Sequence, residues 1–105
     1  TKLDVWLIAE ADDEATLNAL REAAPADYCR ILRVPPSQPR TKPKACNIAL
    51  PLLRGEFTVI YDAEDIPDPM QLKLAVAAFR SSRPKTACMQ AALNYYNRDE
   101  NLLTR

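Results

Sequence analysis

The chain has 105 residues, is 48% hydrophobic, and balances 14 basic against 14 acidic side chains with no histidine. That length holds one small domain with a modest core. A formal charge of zero excludes a binder whose affinity rests on a basic surface, so no nucleic-acid partner is expected.

Nine prolines against a single glycine rule out the Gly-rich phosphate cradles of the dinucleotide fingerprint and the P-loop. The lack of histidine removes the commonest general base and the commonest transition-metal ligand. Cys29, Cys46 and Cys88 lie far apart among apolar neighbours, so they read as buried free thiols in a reducing compartment, not as a zinc site or a disulfide framework. No apolar run approaches membrane-spanning length, and no signal-peptide pattern is visible. The sequence starts almost directly on a strand and stops at Arg105 without punctuation, which suggests a piece of something longer.

Leu3 to Ala9 reads as a strand apolar on both faces. Asp12 or Asp13 can cap the helix that follows, from about Glu14 to Ala24, with Leu17, Leu20 and Ala24 inward and Pro25 as its stop. Tyr28 to Val34 is a second strand, and Pro35 to Lys44 a stiff loop carrying three cations. A second helix starts near Pro43 or Lys44 with Ala45, Ile48, Ala49 and Leu52 inward. Pro51 should bend or shorten it, and Gly55 should supply a left-handed C′ residue.

Phe57 to Tyr61 has the β-branched and aromatic character of a buried central strand. Asp68-Pro69 then suggests an N-cap and N1 proline for a third helix, about Pro69 to Ser81, burying Leu72, Val76 and Phe79. Thr86 to Leu93 reads as a fourth strand, and Asn94 to Arg105 starts another helix. Strand and helix alternate throughout, the pattern of an α/β fold with a mostly parallel sheet flanked by helices.

The acidic groups fall at the carboxyl ends of the predicted strands, where open α/β sheets place ligands. Asp62, Glu64 and Asp65 crowd three carboxylates into four positions. Such groups repel one another unless a cation sits between them, and a hard divalent ion with oxygen ligands is the natural candidate. The plainer alternative is an acidic approach to a helix N-terminus, where Asp and Glu are favoured anyway.

Three motifs, in this order, resemble the inverting glycosyltransferases of family 2, which have the nucleotide-sugar-binding GT-A fold. They are Asp12-Asp13 at a strand end, Lys44-Ala45-Cys46-Asn47-Ile48-Ala49-Leu50 at a helix start, and Asp62-Ala63-Glu64-Asp65-Ile66-Pro67 after the third strand. The similarity is closest to the processive, membrane-embedded branch that includes bacterial cellulose synthase, and it spans the whole chain. It implies a UDP-sugar donor and a glycan or lipid acceptor, with the nucleotide touched by Asp12, Asp13, Lys44 and Asp62. It also implies Mg2+ or Mn2+ on Asp62 with Glu64 or Asp65; the family has Asp where Glu64 stands, so which of the two is the ligand stays open.

The same resemblance puts the family's opening strand before Thr1, and its catalytic-base aspartate and Gln-x-x-Arg-Trp motif after Arg105. The chain is therefore expected to be a partial domain, 1–105, with no catalytic residue of its own, prone to self-association through exposed strand edges. The parent would be cytoplasmic at a bacterial inner membrane, meeting the membrane only through other segments.

The plainer reading of Lys42 is a solvated loop residue, and of one of Asp12 and Asp13 a helix cap. Tyr95-Tyr96 and Trp6 read as packing residues. The main rival is a phosphoacceptor receiver domain, which also places acids after its first and third strands. It needs a hydroxyl residue ending the fourth strand and a lysine ending a fifth; here Thr86 starts the fourth and no fifth follows. A non-catalytic α/β interaction fragment is the third reading.

Overall fold

In the computed structural model, residues 2–23 and 25–92 are described. The chain divides into two compact units, Thr1–Ile60 and Tyr61–Arg105.

In the first unit, β1 (Val5–Glu10) and β2 (Cys29–Val34) form a two-stranded parallel sheet. Their register runs from Val5 opposite Cys29 to Glu10 opposite Val34. Parallel partners need a crossover, and α1 (Glu14–Glu22) supplies it. A loop leads from β2 to α2 (Lys42–Ala49), which tightens into a 3₁₀ turn at Leu50–Leu52. Pro51 lacks the amide that an α-helix would need there, so the predicted shortening is observed.

Paired residues on parallel strands share a face, so the sheet has two: Ala9 with Arg33, and Glu10 with Val34. An ion pair from Arg33 to Glu14 ties the first turn of α1 to one face, and another from Lys44 to Glu10 ties α2 to the other. The apolar centre is small: Leu17 is 1% exposed and Val34 0%, with Ala9 and Ala49 also buried. Ile48 and Leu52, expected inward, are exposed. Two strands lie about 5 Å apart while a helix with its side chains is about 10 Å across, so the sheet is too narrow to cover the flanks of α2.

At the amino end of the sheet, Asp4 pairs with Arg30, and the guanidinium of Arg30 lies 4.7 Å above the ring of Trp6. Trp6 is thus a half-buried cation–π platform instead of a core residue. The thiols differ from expectation too: all three are free, but Cys29 and Cys46 are half-buried and Cys88 is exposed.

Gly55 does not adopt the left-handed conformation. The 3₁₀ turn ends because Leu53 goes extended, at φ −71° and ψ 139°. Glycine eases a different constraint, since a Cβ at position 55 would stand 3.0 Å from the carbonyl oxygen of Phe57, which would have to give way by a few tenths of an ångström.

The expected central strand, Phe57 to Tyr61, is not formed; Val59 is 53% exposed and Ile60 59%. Strand propensity cannot act without a ladder partner, and among the described residues the sheet holds β1 and β2 alone. Nor is there a strand over 86–92, for the same reason. Leu93, the helix expected from Asn94, and Tyr95-Tyr96 lie outside the described residues.

The second unit contains α3 (Gln71–Ser81). It begins two residues later than Asp68-Pro69 suggested, although Asp68 still organises the entry: its carboxylate accepts from the Met70 amide at 2.7 Å. Its half-buried stripe is Gln71, Ala75, Val76 and Phe79, at helical spacing, with Leu72 exposed beside it. No helix among the described residues is long and apolar enough to cross a membrane.

With so small a centre, Leu17→Ala should remove about 2–5 kcal/mol, much or all of the first unit's stability. Urea unfolding followed by far-UV circular dichroism should show the midpoint collapse. Leu20→Ala, at a half-buried site on the same helix, should shift it far less. Equal shifts would contradict this packing.

Candidate functional site

Because β1 and β2 are parallel, their carboxyl ends emerge at one edge, and the chain gathers five charged side chains there: Glu10, Asp12, Asp13, Arg40 and Lys44. Glu10 closes β1, and a tight turn follows in which the Asp13 amide donates to the Glu10 carbonyl at 3.1 Å. Asp13 is the N-cap of α1, its carboxylate accepting from the Thr16 amide at 3.0 Å and from the Thr16 hydroxyl at 2.7 Å. These two bonds, the hydroxyl's first, hold the carboxyl of Asp13 below the usual carboxylate range. Of the two acids, Asp13 is therefore the cap.

Asp12 turns elsewhere, to the guanidinium of Arg40 on the loop after β2. The hydrogen bond and charge of Asp12 push the pKa of Arg40 up, so its charge is held more firmly still.

Lys44, in the first turn of α2, reaches back over the same edge. Its ammonium lies 3.2 Å from Glu10 Oε1 and 3.4 Å from Oε2. It also donates to the Ser37 carbonyl at 3.2 Å and the Pro35 carbonyl at 3.5 Å, fastening the loop that carries Arg40.

The helix start itself runs against ordinary preference. Proline in the first turn is an ordinary helix start, but Thr41 occupies the N-cap without a side-chain hydrogen bond and that turn has no acid. Lys42 and Lys44 instead place cations at the positive end of the helix dipole, the unfavourable end for them. Local rules broken in this way gather at functional sites.

Glu10 and Arg40 were not singled out by sequence reasoning. The available signals were an acid closing an apolar strand and a cation four residues before Lys44. Neither identifies its partner, because the pairs Glu10–Lys44 and Asp12–Arg40 span 34 and 28 residues.

The second acidic set belongs to the second unit. Asp62 to Asp65 is a closed turn: the Asp65 amide donates to the Asp62 carbonyl at 3.1 Å, and the Asp62 amide donates to Asp65 Oδ2 at 2.8 Å. Before it, the Tyr61 hydroxyl donates to Gln71 Oε1 at 2.6 Å, tying the turn to α3. Asp62, Glu64 and Asp65 are all exposed. The Glu64 carboxylate makes no hydrogen bond or ion pair among the described residues. One oxygen of Asp65 is already committed to the turn. Among the described residues no three acidic or thiol groups converge so as to hold a metal ion, and in this arrangement the motif is not a formed metal centre.

A two-stranded parallel sheet flanked by helices, with acids and a lysine gathered at its carboxyl edge, makes this an α/β protein. The model of the glycosyltransferase like family 2 matches residues 1–105, and the chain belongs to that family. Its fold is consistent with part of a GT-A domain. No solved structure matches the chain.

The Asp13 cap gives a pH test. Its folded pKa is lowered, so its contribution to α1 is present above the unfolded carboxylate range and is lost as pH falls through the folded value. Asp13→Asn caps without titrating. Circular dichroism during acid titration should therefore show a loss of helix in the wild type that is diminished in the variant. Identical titration curves would mean that the cap does not govern α1.

Proposed function

We propose that this chain is the nucleotide-sugar-binding part of an inverting glycosyltransferase that moves a hexose from a UDP-sugar to a glycan or lipid acceptor. The observation that carries the reading is Lys44: an ammonium held over the carboxyl edge of a parallel sheet, beside the Asp12–Asp13 turn. A lysine there offers a compact charge to a diphosphate. Asp12 accepts from a ribose hydroxyl or a base N–H once Arg40 yields, and Asp13 keeps the turn in shape by capping α1.

The Asp62–Pro67 motif supports a role for magnesium or manganese, which accept oxygen ligands and are completed by phosphates and water. Asp62 and Glu64 are the proposed ligands, because Asp65 is drawn into its own turn. The ion would neutralise charge on the departing diphosphate. What the protein's own residues supply is binding and orientation of the nucleotide; no residue of this chain is assigned the base that takes the acceptor's proton. The proposal extends to the processive, membrane-embedded branch, with a cytoplasmic position at a bacterial inner membrane, on the strength of the resemblance that the three motifs carry together.

The test is UDP release from UDP-glucose by the intact protein. Asp62→Asn keeps the side chain's shape and removes its charge, and should lower turnover about a hundredfold or more. Chelation of divalent ions should abolish turnover, and added manganese should restore it. Parental turnover by Asp62→Asn, or uptake of phosphate from acetyl phosphate on Asp62 without any response to UDP, would overturn the proposal.

A further inference from the structure

The ammonium of Lys44 has three protons, and three acceptors take them: the carbonyls of Pro35 and Ser37, and the carboxylate of Glu10. The carbonyls are fixed by the backbone of a proline-rich loop, whereas the carboxylate sits on a side chain that can swing away. Both oxygens of Glu10 lie at nearly equal distance from the nitrogen, 3.2 and 3.4 Å, so the carboxylate faces the ammonium end-on as an anionic ligand would. The pair is shielded, with side-chain exposures of 15% for Lys44 and 26% for Glu10, and charge matters more there than on an open surface. The neighbouring cation Arg40 is matched by Asp12 in the same way.

We infer that Glu10 is an internal counter-ion standing in the anion position of Lys44, and that a diphosphate reaches the ammonium by exchanging with this carboxylate. The inference rests on the nucleotide-binding reading above and adds a residue which that reading does not use. Glu10 balances the charge of an ammonium whose other two acceptors are neutral carbonyls. The same charge opposes the incoming phosphates, so Glu10 sets how tightly the diphosphate is held, while the two carbonyls keep the ammonium in place without it.

The test compares UDP with uridine, which lacks the phosphates, by NMR titration of the full chain. Glu10→Gln should bind UDP about three- to tenfold more tightly than the wild type, the scale of one removed charge at a partly screened site. Uridine affinity should not change, and Lys44→Met in the Glu10→Gln background should erase the gain. A merely structural role for Glu10 would move both ligands together. If Glu10→Gln loses its fold by circular dichroism, Glu10→Asp takes its place: it draws the carboxylate back by one methylene and should give a smaller gain in the same direction. Unchanged or weaker UDP binding by the folded variant, beside Lys44-dependent binding by the wild type, would overturn the counter-ion role and leave the nucleotide reading standing. No UDP response from either protein at millimolar concentration would overturn both.

Discussion

Everything at the candidate site depends on the parallel pairing of β1 with β2. Antiparallel strands would send Glu10 and Val34 to opposite ends; the parallel register sets them side by side. The crossover that parallel pairing requires then starts α1 at the same edge, which is why the cap Asp13 and its neighbour Asp12 are there at all. The loop leaving β2 delivers Arg40 and Lys44 to it from the other strand. A slip of one residue would turn Glu10 to the opposite face and separate it from Lys44. Few buried side chains guard against such a slip, Leu17 and Val34 above all.

The edge is also where local preference and arrangement conflict. Cations in the first turn of α2 face the positive end of the helix dipole, and the N-cap residue makes no compensating hydrogen bond. Glu10 and Asp12 offset that charge from a different strand end, so the balance is tertiary. The exposed pair of Asp12 with Arg40 contributes roughly 0–1 kcal/mol, whereas the shielded pair of Glu10 with Lys44 feels its charges more strongly.

The two acidic motifs differ in kind. Asp12-Asp13 is divided between a cap and an ion pair, both visible as bonds to named partners. Asp62 to Asp65 closes on itself, using one carboxylate to satisfy its own backbone. That use is local chemistry of Asp and could operate in any exposed turn. It also separates Glu64 from Asp65, two acids which are interchangeable by spacing alone: one is drawn inward by an amide three residues back, and the other is left facing solvent.

Short-range physics was legible in the sequence. The apolar run of β1, the N-cap before α1, the cation-bearing loop, the truncation of α2 at Pro51 and the body of α3 all follow from neighbours within a few residues, and all are observed. The family was legible as well, and its model matches residues 1–105. The strand expected at Phe57 to Tyr61 failed because strands depend on partners distant in sequence, and β-branched residues without a ladder stay outside the sheet and exposed. The left-handed Gly55 failed because the helix end had another way to stop, and the glycine answers a close approach by the Phe57 carbonyl. The partners of Asp12 and Lys44 came only with the tertiary structure. A carboxylate and an ammonium attract across space without regard to the intervening chain, so the pairing was set by which strand ends the parallel register brought together.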